Sequence, residues 1–111
     1  MQDLMNDLQR YSNELDQSVK RFRKNGEALA QAERDYKVLL RQEVLKLRDE
    51  GMAVGLIDKT VYGLPSVADA RFRRDVAEAM YKANQEHINT TKLHLRIIES
   101  QISREWGNGN S

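Results

Sequence analysis

The sequence has no cysteine, a single proline and only seven aromatic residues (one Trp, two Phe and four Tyr) in 111 residues. The absence of cysteine excludes a disulfide scaffold, an iron–sulfur cluster, a thiolate nucleophile and zinc sites with cysteine ligands. No apolar run is long enough to cross a bilayer, and Met1–Leu4 has neither the charge nor the apolar stretch of a signal peptide. We therefore expect a cytoplasmic protein without membrane contact.

An excess of charge of one sign is also lacking. Eighteen basic and seventeen acidic side chains give a formal net charge of +1, although charged residues make up 32% of the chain. No global field therefore draws the protein towards nucleic acid or membrane, and any electrostatic partner has to be recognised by a local patch.

The N-terminal half shows a sustained helical pattern. Its apolar residues are spaced three or four apart, as at the a and d positions of a heptad repeat, and this predicts a helix over residues 2–49. Such a helix cannot bury its own apolar stripe and needs a partner. The stripe consists of Leu4, Leu8, Tyr11, Leu15, Val19, Phe22, Leu29, Tyr36, Leu40 and Leu47.

Residues 50–65 are predicted to form an apolar connection. Gly51 is the expected C-cap of the first helix, and a short helical turn is expected near Leu56–Tyr62. Ser66 and Asp69 have the spacing of a capping box, which opens a second helix over residues 66–106. Gly107 is expected to end this helix, and residues 107–111 are expected to form a disordered tail.

Two long helices with one compact connection predict an all-α fold, a coiled-coil-like antiparallel helical hairpin in a single domain, residues 1–111. With the midpoint near Asp58, residue i faces about residue 116 minus i, so that Val76 faces Leu40 and Met80 faces Tyr36 in the seam. The same register places Tyr11 near Trp106. Further apolar residues lie off the main seam and predict a homo-oligomeric helical bundle. They are Met5, Leu39, Val44, Phe72, Tyr81, Leu93 and Ile97.

Catalytic and metal motifs are missing from the sequence. His87 and His94 are the only histidines, and neither a Glu-x-x-His nor an HExxH pattern surrounds them. Ser12 and Ser18 have no neighbouring histidine, and the expected register places none opposite them. We therefore predict that the protein is not an enzyme and uses no metal, cofactor or small-molecule substrate.

Basic residues form the strongest local charge feature. In the expected register, Lys20, Arg21, Arg23 and Lys24 lie beside Lys92 and Arg96 of the return helix, which makes one basic band that could bind nucleic acid. The alternative is a solvated helix face with i,i+4 ion pairs to acidic neighbours.

The apolar connection is the second candidate site. One interpretation is a cap that buries Leu56, Ile57 and Val61 against Leu45, Leu47 and Val67. The alternative is a partner-binding tip on which apolar side chains await a protein. The tip residues are Met52, Leu56, Ile57, Val61, Tyr62 and Leu64.

Several segments together resemble a group of small helical proteins encoded by phages and prophages of Gram-positive bacteria. The segments are Asn25–Glu27, Ala32–Tyr36, Leu45–Met52, Ala68–Glu78 and Arg104–Trp106. The resemblance covers most of the chain and implies a location among genes for DNA recombination and replication, but no assigned activity or site residues. We therefore expect a non-enzymatic phage accessory protein that binds a protein or nucleic acid. The alternatives are an assembly factor, such as a scaffold or tail chaperone, and a regulator of a host enzyme.

Overall fold

The computed structural model describes residues 2–109, which form three helices and no strand. Helix α1 spans Gln2–Asp49, α2 spans Val54–Val61, and α3 spans Pro65–Gly109. The predicted fold class is confirmed, because a pair of long helices is joined by a connection that contains a short helix. The chain divides into two compact units, a terminal unit (Met1–Lys24 with Lys82–Ser111) and a central unit (Asn25–Tyr81).

Helix α1 has the predicted range, whereas α3 begins one residue before its predicted start and ends beyond its predicted end. Helix α3 begins at Pro65, whose ring suits the first helical position, so Ser66 lies in the first turn instead of at the N-cap. The prediction that Gly107 ends α3 is wrong, because the helix continues to Gly109. Residues 110–111 of the expected tail lie outside the described residues.

The end of α1 is a Schellman motif. The Gly51 N–H donates to the Arg48 carbonyl at 3.0 Å, and the Met52 N–H donates to the Leu47 carbonyl at 3.1 Å. Gly51 has a φ of 88°, which is the left-handed region that glycine adopts without a Cβ penalty. The predicted C-cap is therefore confirmed, and it turns the chain towards α2.

The central unit has an apolar core to which all three helices contribute. Tyr36 and Leu47 come from α1, Ile57 and Val61 from α2, and Val67 and Ala70 from α3. Helix α2 presents its two buried residues, Ile57 and Val61, four positions apart, as one face of a helix requires. The connection is thus an integral part of this core, and it closes the hairpin.

In the terminal unit, the two chain segments run antiparallel and share a partly polar interior. Buried Ile88 and Ile98 are accompanied by Ser18, Asn84 and Thr91, which are also buried. The side-chain amide of Asn84 donates to the Ser18 carbonyl at 3.1 Å and to the Ser18 Oγ at 3.0 Å. One side chain thereby satisfies two buried acceptors, which removes the desolvation cost of placing them in the interior.

The predicted helix register is wrong. Ser18 was expected opposite residue 98 but meets Asn84, which is about two heptads earlier. Tyr11 was expected near Trp106, but its ring meets the His94 ring at a centroid distance of 5.0 Å. In the central unit, the Arg74 guanidinium lies 4.7 Å from the Tyr36 ring centroid, and Arg74 is six residues before the expected partner Met80.

Candidate interaction surfaces

The predicted partner-binding tip is divided between core and surface. Ile57 and Val61 are 3% and 1% exposed, and Met52 and Leu64 pack against the same core while partly buried. These four residues therefore hold the connection together and are not accessible as a docking patch. Leu56 and Tyr62 are exposed, but Leu56 lies one position from Ile57 along α2 and points away from the core face.

The interpretation of the connection as a cap is largely confirmed. Ile57 and Val61 are buried with Leu47 and Val67, as that interpretation requires. Leu56 and Leu45 are exceptions, because both are exposed. The helical period explains the exceptions: only every third or fourth residue of an eight-residue helix can face the core, and Ile57 and Val61 occupy those positions.

The structure does not unite the basic residues into one band. Ser18 and Asn84 lie at the same level of the terminal unit. Lys20 and Lys24 follow Ser18 towards the connection, whereas Lys92 and Arg96 follow Asn84 in the opposite axial direction. The two groups are therefore at least about 15 Å apart along the helices, at about 1.5 Å per residue. Arg21 is already engaged, since it forms an ion pair with Glu14 at 3.1 Å.

A polar network that the sequence did not reveal joins α1 and α3 in the terminal unit. His87 Nε2 lies 2.9 Å from Glu14 Oε1, and the same carboxylate oxygen accepts from Arg21. The hydrogen bond from His87, followed by that from Arg21, holds the pKa of Glu14 below its ordinary value. The corrected register brings these side chains together, and sequence spacing alone carries no signal for pairs that are 73 residues apart.

Ser18 lies one helical turn from Glu14, so serine, histidine and carboxylate side chains occupy neighbouring levels of the terminal unit. The residue opposite Ser18 is Asn84 and not a histidine. The Ser18 side chain is fully buried, and its Oγ accepts from Asn84. His87 Nε2 is the atom that bonds Glu14. A nucleophile needs an accessible hydroxyl next to the base, and this arrangement does not provide one.

An exposed apolar stripe runs along α3 in the central unit. Phe72, Val76 and Met80 are 66%, 42% and 56% exposed and are spaced four residues apart. Phe72 is two residues from both Ala70 and Arg74, which places it about 160° around the helix from the side that meets the core. We call Phe72, Val76 and Met80 the outer stripe. The sequence pattern did single out Phe72, but the incorrect register hid Val76 and Met80 by assigning them to the seam.

Charged residues flank Phe72 in a symmetric order. Arg71 and Arg73 precede and follow it by one position, and Asp69 and Asp75 precede and follow it by three. All four side chains are exposed. At about 100° per residue, Arg71 and Asp75 lie on one flank of the outer stripe, and Asp69 and Arg73 lie on the other. Each flank therefore has one cation and one anion four residues apart.

Arg74 belongs to a different environment from its neighbours. Its guanidinium stacks on Tyr36 and donates twice to Asp75 Oδ1, at 2.9 and 3.2 Å. The hydrogen bonds to Asp75 hold the pKa of Arg74 above its ordinary value. The arginine-rich segment Arg71–Arg74 is thus divided, since Arg74 packs on the core while Arg71 and Arg73 flank the outer stripe.

The described part of the chain has no group of three or more His, Asp or Glu side chains placed to hold a metal ion. Within residues 2–109, none of the helices is both long and apolar enough to cross a membrane. Comparison of the chain with protein-family models, with curated proteins and with solved structures gives no match.

Proposed function

We propose that this chain is a non-enzymatic binding protein that acts through helix-to-helix contact with another protein chain. The outer stripe is the observation that carries the proposal. The outer stripe exposes three large apolar side chains to water on one face of α3. Covering this apolar surface with a partner lowers the free energy, because apolar area is removed from water. Apolar anchors at spacings of four residues are the pattern by which helices dock on helices.

The remaining features agree with a binding role better than with catalysis. The most polar interior group, Ser18 with Asn84, is internally satisfied, and Glu14 and His87 are committed to each other. The resemblance to small phage and prophage proteins supports an accessory role in phage biology, with recombination, replication or particle assembly as the processes in which such a protein would act.

Site-specific photo-crosslinking in cells that naturally carry the gene tests this proposal. A photoreactive phenylalanine analogue replaces Phe72, and mass spectrometry identifies the chains attached to it. The matched control carries the analogue at Trp106, an exposed aromatic residue of α3 outside the outer stripe. We expect protein adducts at position 72 and few at position 106. Equal labelling at the two positions, or no protein adduct at position 72, contradicts the proposal.

A third photoreactive variant at Tyr62 tests the connection as a competing surface. Tyr62 is exposed and belongs to the predicted partner-binding tip. We expect fewer adducts there than at position 72, because the apolar residues around it are committed to the core. Adducts that concentrate at Tyr62 would move the binding surface to the connection and contradict the assignment to the outer stripe.

A further inference from the structure

Four cations share one exposed face of α1 in the central unit. Arg34, Arg41 and Arg48 are spaced seven residues apart, and Lys37 lies between the first two. All four side chains are exposed. At about 100° per residue they lie within a sector of about 60° around the helix, and we call these four residues the basic face. The basic face differs from the predicted basic band, whose residues all lie in the terminal unit.

Acidic residues are missing around the three arginines of the basic face. None of these arginines has an Asp or Glu three or four positions away in either direction, the spacings at which helical side chains pair. Lys37 has Glu33 at such a spacing, but within residues 2–109 no ion pair joins the two. In this described part of the chain, no side-chain hydrogen bond, ion pair or ring contact engages any residue of the basic face. The four positive charges are therefore not compensated within α1.

A structural role accounts for Arg48 but not for the other three cations. Arg48 lies in the last turn of α1, where the helix dipole favours a positive charge, and it lines a surface cavity of about 290 Å³ together with Asp58 of α2. Arg34, Lys37 and Arg41 lie further from that end, at intervals of three and four residues. Like charges at these intervals destabilise a helix, so the folded chain gains nothing from this arrangement. An anionic partner would turn the repulsion into attraction.

We propose that the basic face binds the phosphate backbone of duplex DNA. Arginine guanidinium groups donate pairs of parallel hydrogen bonds to phosphate oxygens, and each such contact releases a counterion from the DNA. With a rise of about 1.5 Å per residue, successive arginines of the basic face are about 10.5 Å apart. The major groove of B-form DNA is about 12 Å wide, so Arg34 and Arg41 are spaced to reach phosphates on its two sides.

The residues between these cations favour a duplex over other polyanions. They are Val38, Val44 and Leu45, and none of them carries an aromatic ring. Single strands are held largely by stacking of their bases on aromatic side chains. A helix that lies on a membrane inserts its apolar face between lipids, but the apolar face of α1 is committed to the core through Tyr36 and Leu47. Contact with the phosphates of a duplex needs neither feature.

Loss of two arginines tests the site. The variant Arg34→Gln with Arg41→Gln has uncharged side chains of similar helix propensity, and circular dichroism confirms that its helices persist. Fluorescence anisotropy of a labelled duplex of random sequence, over a salt series, measures binding. We expect the unmodified chain to bind at low salt and the variant to bind at least about tenfold more weakly. The logarithmic salt dependence should become shallower by about two, since each lost phosphate contact removes about 0.9.

Two matched variants separate the site from net charge. Arg10→Gln with Lys46→Gln removes the same number of charges at exposed residues with acidic neighbours, since the Arg10 guanidinium lies 3.3 Å from the Asp7 carboxylate and Glu43 is three positions before Lys46. This control should bind DNA as the unmodified chain does. Arg34→Lys with Arg41→Lys retains both charges and should keep the salt dependence of the unmodified chain.

The proposal is overturned if the control loses as much affinity as Arg34→Gln with Arg41→Gln. It is also overturned if the lysine variant shows the shallow salt dependence of the glutamine variant.

Two further probes would identify a different occupant. A single-stranded oligonucleotide of the same length, and vesicles of phosphatidylserine with phosphatidylcholine at equal phosphate concentration, replace the duplex in the same titration. We expect weaker binding to both. Tighter binding to the single strand or to the vesicles than to the duplex, or absence of duplex binding at low salt, overturns the proposal. The binding role of the outer stripe is tested separately, because these substitutions on α1 leave Phe72 unchanged.

Discussion

Gly26 lies inside α1 and Gly51 lies just beyond its end, and the two glycines have opposite conformational requirements. Gly51 has a φ of 88° and no atom within 4 Å of the place where a Cβ would be, so a side chain there is opposed by the backbone conformation and not by packing. Gly26 lies inside the helix, and a Cβ added to it would meet Tyr81 at 3.4 Å, an ordinary contact distance.

We therefore expect Gly51→Ala and Gly26→Ala to change stability in opposite directions. Gly51→Ala should lower the free energy of unfolding by about 1–2 kcal/mol, the cost of a left-handed residue with a Cβ. Gly26→Ala should raise it by about 0.5–1 kcal/mol, because alanine loses less backbone freedom in a helix interior. Urea denaturation measures both. A neutral Gly51→Ala variant would show that the end of α1 can rearrange.

The carboxylate of Glu14 gives stability a dependence on pH. Its pKa lies below its ordinary value of 4.5 in the folded chain because His87 and Arg21 bond the charged form. Because the pKa of Glu14 is lower in the folded chain than in the unfolded chain, ionised Glu14 stabilises the folded chain. This stabilisation is present above about pH 4.5 and is lost as the pH falls through the folded-state pKa.

We expect the difference in unfolding free energy between the unmodified chain and Glu14→Gln to shrink as the pH falls from about 7 to about 3. Urea denaturation at a series of pH values measures it. The control is Asp16→Gln, two positions along α1 at an exposed site. If the difference in unfolding free energy between the unmodified chain and Glu14→Gln stays constant or grows in acid, the bonds of Glu14 to His87 and Arg21 are not a source of stability.

At the scale of single elements, α2 is the shortest helix and the one most dependent on its neighbours. Eight residues are too few for an isolated helix to persist in water, so its stability comes from burying Ile57 and Val61. Ile57→Ala should therefore cost about 2–5 kcal/mol of unfolding free energy. Leu56→Ala, at an exposed neighbouring position, should change it by no more than about 0.5 kcal/mol.

Urea denaturation followed by circular dichroism distinguishes these two variants. Comparable losses for Ile57→Ala and Leu56→Ala would mean that α2 does not pack as described. The comparison also checks the division of the connection into core and surface residues, since the two side chains are adjacent and of similar size.

The helices themselves could be predicted from the sequence, whereas their alignment could not. Heptad spacing, Gly51 and Pro65 carry local signals, and each has a direct structural counterpart in the limits of α1 and α3. A heptad repeat looks the same after a shift of seven residues, so apolar spacing alone leaves the register open. Polar pairs such as Ser18 with Asn84 remove that ambiguity, because an amide shifted by one heptad would lose its buried partner.

The candidate surfaces depended on that alignment. The basic band required Lys24 to lie near Lys92, and the incorrect register placed them together. The outer stripe was only partly predicted, because Phe72 lies off the seam in any register while Val76 and Met80 were assigned to it.

At the scale of the whole molecule, the separated basic groups should act independently towards nucleic acid. We expect Lys20→Glu with Lys24→Glu to weaken any binding to duplex DNA at low salt and to make its salt dependence shallower by about two. Lys92→Glu with Arg96→Glu is the charge-matched comparison. In a variant that carries all four substitutions, the loss of DNA affinity caused by Lys20→Glu with Lys24→Glu should be the same as when that pair is substituted alone. Fluorescence anisotropy over a salt series measures this, and strong coupling between the pairs would contradict their separation.

The buried pair Ser18 and Asn84 also bears on how the chain folds. These residues are 66 positions apart, so they can meet only after a long segment has been closed into a loop. The core of the central unit joins residues that are much closer in sequence, such as Leu47 with Ile57, at a smaller loss of chain entropy. We therefore expect the central unit to form early and to act as the folding nucleus. Pairing of α1 with α3 should then proceed from the residues next to the connection towards the chain termini.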